Sequence, residues 1–384
     1  MINYLNYKEP FGLYIHIPFC KSKCNYCDFY SIKTCKNIME KYIDNLKEEI
    51  KLYSDKLDVR KIKTIYIGGG TPSTLSSRSV NEILRTITKN FIVEKEIETT
   101  IEANPESLDK NKIISYKQAG INRISLGVQS FINKELDFLG RIHDVEEALN
   151  TIEVIKNYFD NYSIDLIFAI PGQTFKEFEQ SLNQAIKLNP PHISIYNLQI
   201  EEGTPLYKKL NKNEIEKISE DLDYKMYNYA IEQLTINNYN HYEISNFAKR
   251  GYESKHNLTY WDYEPYLGLG PSAHGFNGLN RYYNIQDINS YNKEISNSNF
   301  PIEEIVELSK NDLITERMIM GLRLKKGIDI KEFKNRFGIS VFKLYGDTIN
   351  KLKKENLIKE HNGKINLTKK GLNLGNITLA EFLL

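Results

Sequence analysis

Three cysteines near the start of the chain are spaced so that they can bind a metal cluster. The sequence reads Cys20-x3-Cys24-x2-Cys27, and one further cysteine, Cys35, follows eight residues later. Cysteine thiolates are soft ligands for iron and hold most iron–sulfur clusters. Three ligands in a compact loop leave one iron of a [4Fe–4S] cluster open to a small molecule. The pattern therefore predicts a [4Fe–4S] site, with Cys35 as a structural thiol.

Zinc binding is the main alternative use of these cysteines, and buried free thiols are another. A structural zinc site takes four ligands, and His16 precedes the loop at a distance that could make it the fourth. All four cysteines lie within sixteen positions. A secreted disulfide framework would spread its cysteines along the chain. The clustering therefore favours a metal or cluster site in a reducing compartment.

The elements that must position this loop are alternating strands and helices. Short runs rich in β-branched and aromatic residues predict strands at Leu13–Ile17, Thr64–Ile67, Thr99–Ile101, Arg123–Val128, Ser163–Ile170 and His192–Leu198. Amphipathic stretches between them predict helices at Asn37–Leu52, Ser79–Lys89, Val145–Tyr158 and Lys176–Leu188. This alternation indicates parallel βαβ units. Six units rather than eight predict an α/β fold of the partial (β/α)6 TIM type, with an open side.

The segments that follow the predicted strands have the composition of a binding rim. They read PFCKSKCNYC, GGGTP, EANP, GVQSF, IPGQT and QIEEGTP. Each is rich in glycine, proline, small polar residues or carboxylates. Functional loops of a βα barrel lie at the carboxyl ends of its strands. We therefore expect these segments to meet the cysteine loop at one end of the barrel.

The second half of the chain has a different organisation. A tyrosine-rich helix is predicted at Glu220–Leu234, followed by an aromatic segment, residues 241–275, with little periodicity. We expect that segment to be an ordered loop against the barrel mouth.

A small C-terminal unit is predicted after the aromatic segment. Helices are predicted at Leu308–Leu324, Ile330–Phe337 and Val341–Lys354, before a hairpin with an Asn362-Gly363 turn. Three helices and a hairpin indicate a winged-helix-like domain. The predicted domains are thus a barrel at 1–207, a flanking region at 208–307 and this C-terminal domain at 308–384.

Composition and charge limit the classes of partner. Of 384 residues, 51 are Lys or Arg and 50 are Asp or Glu, which gives a net charge of +1. This near balance lacks the basic footprint of a nucleic-acid binder, so we expect no nucleic-acid partner. Apolar runs are too short for a membrane span, and the N-terminus has no secretory-signal pattern. A cytoplasmic location is the resulting expectation.

Several motifs, taken in order, resemble one family. They are YIHIPFCKSKCNYCDF, GGGTPS, IEANPE, GVQSF, IDLIFAIPGQT, HNLTYW and GLRLKKG. Together they are similar to the radical-SAM branch of oxygen-independent coproporphyrinogen III oxidase, and most of all to its HemW group of heme chaperones. The resemblance implies that the three cysteines hold a [4Fe–4S] cluster whose fourth iron is chelated by S-adenosylmethionine (SAM). It also implies heme or porphyrin as cargo and hemoproteins as acceptors, a transiently met membrane protein among them.

The resemblance further implies which residues contact SAM. Gly69, Gly70 and Thr71 are implied to contact its methionyl part, because glycine lets the backbone approach a ligand closely. Glu102 suits a ribose hydroxyl or an ammonium group. Tyr14 and Tyr26 match aromatic SAM neighbours. For the glycine segment the alternative is a tight turn without a ligand. For Glu102 it is a solvated carboxylate, and for the two tyrosines it is ordinary packing.

Three more residues match contacts of a second SAM molecule in the oxidase. They are Gln129, Arg141 and Asp165, which would act together with Gly70 and Thr71. Arg141 could instead pair with Asp137 or Glu135. The histidine of YIHIPFC, His16, is similar to an oxidase histidine near the chemistry and is the candidate catalytic residue. A hydrogen-bonded core histidine is the alternative.

The HNLTYW motif is a signature of the chaperone group. It contains His256 and Trp261, which is the only tryptophan of the chain. A histidine can ligate heme iron, so His256 is a candidate heme ligand. The alternative is that His256 only braces its loop.

Two departures separate this chain from the oxidase. The oxidase loop has a further cysteine where this chain has Phe29, and its N-terminal segment is longer than the thirteen residues before Tyr14. Both favour a heme chaperone over coproporphyrinogen III decarboxylation, which stays the alternative. A third hypothesis is a nucleic-acid or partner module in the C-terminal domain. Its lysines at 351, 353, 354 and 359 could form a basic patch but are more typical of a solvated face.

Overall fold

A twelve-stranded, mostly parallel sheet forms the body of the molecule. The computed structural model describes residues 6–384. In chain order the strands are β1 (Phe11–Ile17), β2 (Phe19–Cys20), β3 (Ile32–Lys33), β4 (Lys61–Gly69), β5 (Ile92–Ala103), β6 (Arg123–Gln129), β7 (Tyr162–Phe168), β8 (His192–Asn197), β9 (Asn240–His241), β10 (Asn246–Ala248), β11 (Tyr266–Leu269), β12 (His274–Phe276), β13 (Asn280–Asn284), β14 (Ile302–Glu307), β15 (Ile328–Asp329), β16 (Ile358–His361) and β17 (Lys364–Leu367).

Helices cover the sheet and build the C-terminal part. They are α1 (Lys36–Lys56), α2 (Ser77–Asn90), α3 (Lys110–Ala119), α4 (Asn133–Leu139), α5 (Val145–Lys156), α6 (Phe175–Leu188), α7 (Pro205–Asn211), α8 (Glu220–Ile236), α9 (Lys255–Trp261), α10 (Ile288–Ser296), α11 (Lys310–Leu322), α12 (Ile330–Phe337), α13 (Val341–Lys354), α14 (Lys369–Asn373) and α15 (Gly375–Ala380).

The predicted α/β partial barrel is confirmed. Strands β1, β4, β5, β6, β7 and β8 lie side by side in that order, and each neighbouring pair is parallel. These are the six predicted strands. Amphipathic helices connect them and bury their apolar faces against the outer side of the sheet.

The prediction that residues 241–275 form a loop was wrong. This segment contains β10, β11, helix α9 and the start of β12. Strand β11 is a seventh parallel strand, which pairs with β1 from Gly12↔Tyr266 to Ile15↔Leu269. Strands β12, β13 and β14 then extend the sheet in antiparallel order. Strands of three to five residues are too short to produce a visible periodicity, and their pairing partners are distant in sequence.

The two faces of the barrel strands have different chemistry. Leu13, Ile15 and Ile17 of β1 are fully buried in the hydrophobic core between the sheet and the helices. Alternation turns Tyr14 and His16 to the inner face. Polar and aromatic residues of the neighbouring strands share that face. The inside of the barrel is therefore suited to bind a polar ligand.

The C-terminal part has a hydrophobic core of its own, built from residues 314–382. Helices α12 and α13 have the predicted bounds, and α11 is shorter than predicted. Strands β16 and β17 form the predicted hairpin, with Asn362 and Gly363 both at positive φ, 51° and 73°. Two further helices, α14 and α15, follow. None of the helices in residues 6–384 has the length and apolarity needed to cross a lipid bilayer.

Candidate functional site

A cavity of about 510 Å³ lies at the carboxyl ends of the barrel strands. Most of the residues proposed from the sequence for the cluster and SAM line it. They are Cys20, Cys24, Tyr26, Cys27, Gly69, Gly70, Thr71, Glu102, Gln129, Arg141 and Asp165. We call this space the cluster cavity. Five of the six strand-end segments predicted to form the rim contribute lining residues, and the segment IPGQT contributes none.

The cysteine loop is held in place by backbone hydrogen bonds. Asn25 N donates to Leu139 O at 2.9 Å, and Leu206 N donates to Asn25 O at 3.0 Å. Thr71 Oγ1 donates to the Cys20 sulfur at 3.5 Å. Burial raises the pKa of the Cys20 thiol, and it raises the pKa of Cys27 to about 11. Without a metal these two thiols are therefore protonated near neutral pH.

The donor set of the cluster cavity fits a [4Fe–4S] cluster with one open iron. Three thiols line the cavity, whereas Cys35 is exposed and precedes α1 outside it. Within residues 6–384 no three His, Cys, Asp or Glu side chains are grouped to hold a single metal ion. His16, the fourth ligand of the zinc alternative, does not line this cavity.

The glycine-rich end of β4 packs directly against the cysteine loop. A Cβ on Gly70 would lie 2.8 Å from Phe19 O and 3.0 Å from the Cys20 sulfur. Gly70 N donates to Ile17 O at 2.8 Å, and Thr71 N donates to Phe19 O at the same distance. Only glycine fits at position 70, so the backbone of β4 reaches the edge of the cavity.

Glu102 holds the other side of this strand end. Its carboxylate accepts from Gly69 N at 3.0 Å and from Tyr66 Oη at 2.7 Å. Burial raises the pKa of Glu102 to about 7 despite these two hydrogen bonds. In its ionised form the carboxylate can accept from a hydroxyl or an ammonium group in the cavity.

Arg141 connects the cysteine loop to β6. Its Nη1 lies 3.4 Å from the Cys24 sulfur, and its Nη2 donates to Gly127 O at 2.8 Å. No ion pair joins it to Asp137 or Glu135 in the described part of the chain, and Glu135 accepts instead from Ser130. The alternative role of Arg141 as a helix ion-pair partner is therefore not observed.

Gln129 and Asp165 lie on neighbouring strands at the cavity floor. Gln129 ends β6 with a φ of 70°, at an irregularity in the pairing of β6 with β7. Residues other than glycine rarely adopt this left-handed backbone conformation. Here it turns the side chain of Gln129 into the cavity. Asp165 accepts from Ser125 at 2.8 Å and from Ser163 at 3.0 Å. Burial raises the pKa of Asp165 above its ordinary value.

Tyr14 and His16 lie outside the cluster cavity and line a second one. This aromatic cavity has a volume of about 480 Å³, and its walls include Tyr14, Phe29, Tyr260, Trp261, Tyr266 and Phe276. His16 Nδ1 is 3.1 Å from Tyr14 Oη, and its Nε2 is 3.0 Å from Tyr30 O. Burial lowers the pKa of His16 to about 4. This geometry supports the core-histidine alternative for His16, and it separates Tyr14 from the predicted SAM contacts.

His256 is fully buried, with no side-chain face open to a ligand. Its Nδ1 is 2.8 Å from Thr64 Oγ1, and its Nε2 is 2.8 Å from Tyr260 Oη. Glu98 accepts from its backbone N at 3.0 Å and fixes the start of α9. Heme ligation by His256 would require one of these ring bonds to break and the fully buried side chain to become exposed, so this geometry supports the bracing role.

Sequence reasoning missed several residues that line the cluster cavity. Asn104, Ser125, Tyr196 and Gln199 lie in its wall. Asn104 and Gln199 belong to the strand-end segments EANP and QIEEGTP, so their position was a usable signal. Ser125 and Tyr196 lie within strands, where the sequence does not distinguish the inner face of a barrel from the outer one.

Comparison with known proteins identifies relatives over the whole chain. The family model of the radical SAM superfamily matches residues 14–185, and that of the HemN C-terminal domain matches residues 308–374. The chain is 39% identical to the heme chaperone HemW of Lactococcus lactis, over 98% of each chain. It is 36% identical to the heme chaperone HemW of Bacillus subtilis, over 96% of this chain and 98% of that one.

A solved structure with the same fold is coproporphyrinogen III oxidase (HemN) of Escherichia coli. It superposes with a TM-score of 0.84 at 22% identity, over 97% of this chain and 90% of that one. At this identity the likeness shows the fold alone.

Proposed function

Because the chain belongs to the heme chaperone HemW family of radical SAM proteins, we propose that it binds heme and passes it to acceptor hemoproteins. The observation that carries this proposal is the 39% identity to a heme chaperone over 98% of both chains. Acceptors include a membrane protein that is met transiently. The protein acts in the cytoplasm, and no nucleic acid takes part.

Membership of the radical SAM superfamily implies a [4Fe–4S] cluster and SAM as cofactors. In our proposal Cys20, Cys24 and Cys27 hold the cluster. When bound, the cluster and SAM together supply one-electron chemistry. Their role in a chaperone would be to support heme assembly or transfer.

The other residues of the cluster cavity bind and orient SAM in this proposal. Gly69, Gly70 and Thr71 offer a close backbone edge, and Glu102 accepts from the ammonium or ribose. Further contacts with SAM come from Tyr26 in the cysteine loop, from Arg141 beside it, and from Gln129 and Asp165 at the cavity floor. Tyr14 contributes only indirectly. Its ring lies 6.2 Å from the ring of Tyr66, centroid to centroid, and the Tyr66 hydroxyl donates a hydrogen bond to Glu102.

We also propose the domain boundaries 1–207, 208–307 and 308–384. The separate hydrophobic core of residues 314–382 supports the last of them. Residues 1–5 of the first domain lie outside the described part of the chain. A DNA or heparin titration of the full protein, with its salt dependence, tests the remote nucleic-acid hypothesis.

Two assays on the anaerobically reconstituted protein distinguish chaperone from oxidase. In the first, hemin-loaded protein is mixed with apomyoglobin, and the appearance of holomyoglobin is followed by absorbance. We expect transfer that is faster than from serum albumin loaded with the same hemin. Transfer no faster than from albumin contradicts the proposal.

In the second assay the protein is incubated with SAM, a low-potential reductant and coproporphyrinogen III. The chaperone function predicts no decarboxylated product by mass spectrometry, with an intact cluster confirmed by its visible absorbance. Protoporphyrinogen over many turnovers, lost in Cys24→Ala, would establish the oxidase alternative instead.

A further inference from the structure

The aromatic cavity shares a wall with the cluster cavity. Asp28 and Phe29, which directly follow the third cysteine, line both. Phe29 is 63% exposed, an unusual exposure for so large an apolar ring in a cavity wall. The volume of about 480 Å³ falls within the range of about 300–1,000 Å³ of small-molecule sites. A ligand in this cavity would therefore lie directly beside the cysteine loop.

The composition of the aromatic cavity favours a large flat ligand. Rings come from four separate elements: Phe29 from the cysteine loop, Trp261 from α9, Tyr266 from β11 and Phe276 from β12. Aromatic side chains pack well against other π systems and bring much apolar area to such contacts. The walls are therefore better suited to a conjugated macrocycle than to a small polar metabolite.

His274 also lines this cavity, and its ring is not held by hydrogen bonds to other described residues. Neither of its ring nitrogens has a hydrogen bond within residues 6–384, whereas both nitrogens of His16 are engaged. His274 is exposed and lines the cavity. Its ring lies 5.5 Å from that of Tyr283, centroid to centroid. The imidazole is thus available to a ligand.

The backbone that carries His274 is tightly fixed. A Cβ on Gly268 of β11 would lie 1.9 Å from His274 O, and a Cβ on Gly275 would lie 2.1 Å from the Tyr282 ring. The pairs His274↔Tyr283 and Phe276↔Arg281 place all four side chains on one face of the sheet. Close packing on the opposite face therefore fixes the direction in which His274 points.

We propose that the aromatic cavity is the heme site and that His274 is the axial ligand of the heme iron. This inference rests on the proposed chaperone function and adds the location of its cargo. Imidazole is a common axial ligand of heme. The surrounding rings would pack on the porphyrin.

Arg281 lines the same cavity and offers a guanidinium that can bind a heme propionate. It pairs with Glu316 at 2.7 Å through Nη2, and its Nε has no partner among the described residues. A guanidinium has five N–H donors, so capacity remains for one carboxylate.

Hemin titration of the full-length protein tests this site. Binding is followed by Soret absorbance and by quenching of Trp261, the only tryptophan of the chain. We expect His274→Ala to bind hemin about tenfold or more weakly. Metal-free protoporphyrin IX should bind the native and His274→Ala proteins equally, because it needs no axial ligand. Added imidazole should restore the native Soret spectrum of His274→Ala, and His274→Cys should change that spectrum.

Controls separate failure of the site from failure of the function. His361→Ala, on the exposed end of β16, should bind hemin like the native protein. Native hemin affinity in His274→Ala would overturn the site and leave the chaperone function standing. Loss of hemin binding in His256→Ala, together with native binding in His274→Ala, would likewise overturn the proposed site. No specific hemin binding by the native protein would overturn both proposals.

Discussion

Arg141 contacts both the cysteine loop and the end of β6: its Nη1 lies 3.4 Å from the Cys24 sulfur, and its Nη2 donates to Gly127 O at 2.8 Å. The guanidinium is held between a proposed iron ligand and the end of β6. A buried positive charge beside a thiolate favours the more negative state of whatever that thiolate binds. If Cys24 holds the cluster as we propose, Arg141 is in a position to tune the cluster as well as to contact SAM.

Replacing Arg141 should therefore change the cluster potential. Arg141→Met should make the midpoint potential more negative by tens of millivolts, given that about 59 mV corresponds to a tenfold change in a one-electron equilibrium. Anaerobic redox titration followed by electron paramagnetic resonance measures it. Arg141→Lys keeps the charge and should show a smaller shift. A native potential in Arg141→Met would mean that the residue only braces the loop.

The proposed division of the cysteines predicts unequal effects of two matched substitutions. Cys24→Ala should reduce iron and sulfide content after reconstitution to near background, because three thiolates are the minimum for this site. Cys35→Ala should retain the native content, because Cys35 is exposed and lies outside the cluster cavity. Equal losses in the two variants would mean that Cys35 also takes part in holding the cluster, whereas its exposure already contradicts the predicted role as a buried structural thiol.

The close approach at Gly70 predicts a steric effect on SAM binding. Gly70→Ala would force a Cβ to 2.8 Å from Phe19 O, so the end of β4 must shift. SAM affinity, measured by equilibrium dialysis, should fall about tenfold or more, with a loss of stability of about 1–3 kcal/mol. Gly346→Ala on α13 is the matched control, because nothing lies within 4 Å of the added methyl group. That change should leave SAM binding unaltered and raise stability by about 0.5–1 kcal/mol.

The parts of the site that lie at strand ends were predictable from the sequence, because parallel strands present their carboxyl ends at one rim. Cys24 and Gly70 follow β2 and β4, Glu102 lies near the end of β5, and all three line the cluster cavity as expected. The position of Tyr14 was not predictable in this way. Alternation puts it on the inner face of β1, but the aromatic cavity that it lines there also needs Tyr266 of β11, a strand that pairs with β1 and was not predicted.

Strand β11 shows why this pairing could not be read from the sequence. Its residues, YLGL, are too few for a periodic signal. Its partner Gly12 lies more than 250 residues earlier in the chain. By contrast, α12 was predicted with correct bounds, and the structure shows that both of its ends are set locally: Asp329 caps its first turn, and Gly338 ends it in a left-handed conformation.

Glu49 is a fully buried carboxylate that fixes the segment before His274. It accepts from Gly270 N at 2.8 Å, from Asn284 Nδ2 at 2.9 Å and from Tyr291 Oη at 2.7 Å. Burial raises its pKa from 4.5 to about 7, although all three hydrogen bonds favour the ionised form. The native protein therefore keeps a proton that the unfolded chain releases between these two pH values.

This difference predicts the sign of a pH effect on stability. When the folded state binds more protons than the unfolded state, the free energy of unfolding falls as pH rises. The native protein should thus lose stability relative to Glu49→Gln between about pH 4.5 and pH 7, by about 1–3 kcal/mol. Urea unfolding of both proteins across this range measures the difference, and the exposed Glu48→Gln should follow the native protein. A constant difference between the native and Glu49→Gln proteins over the whole range would mean that Glu49 is ionised throughout, stabilised by its three donors against the cost of burial.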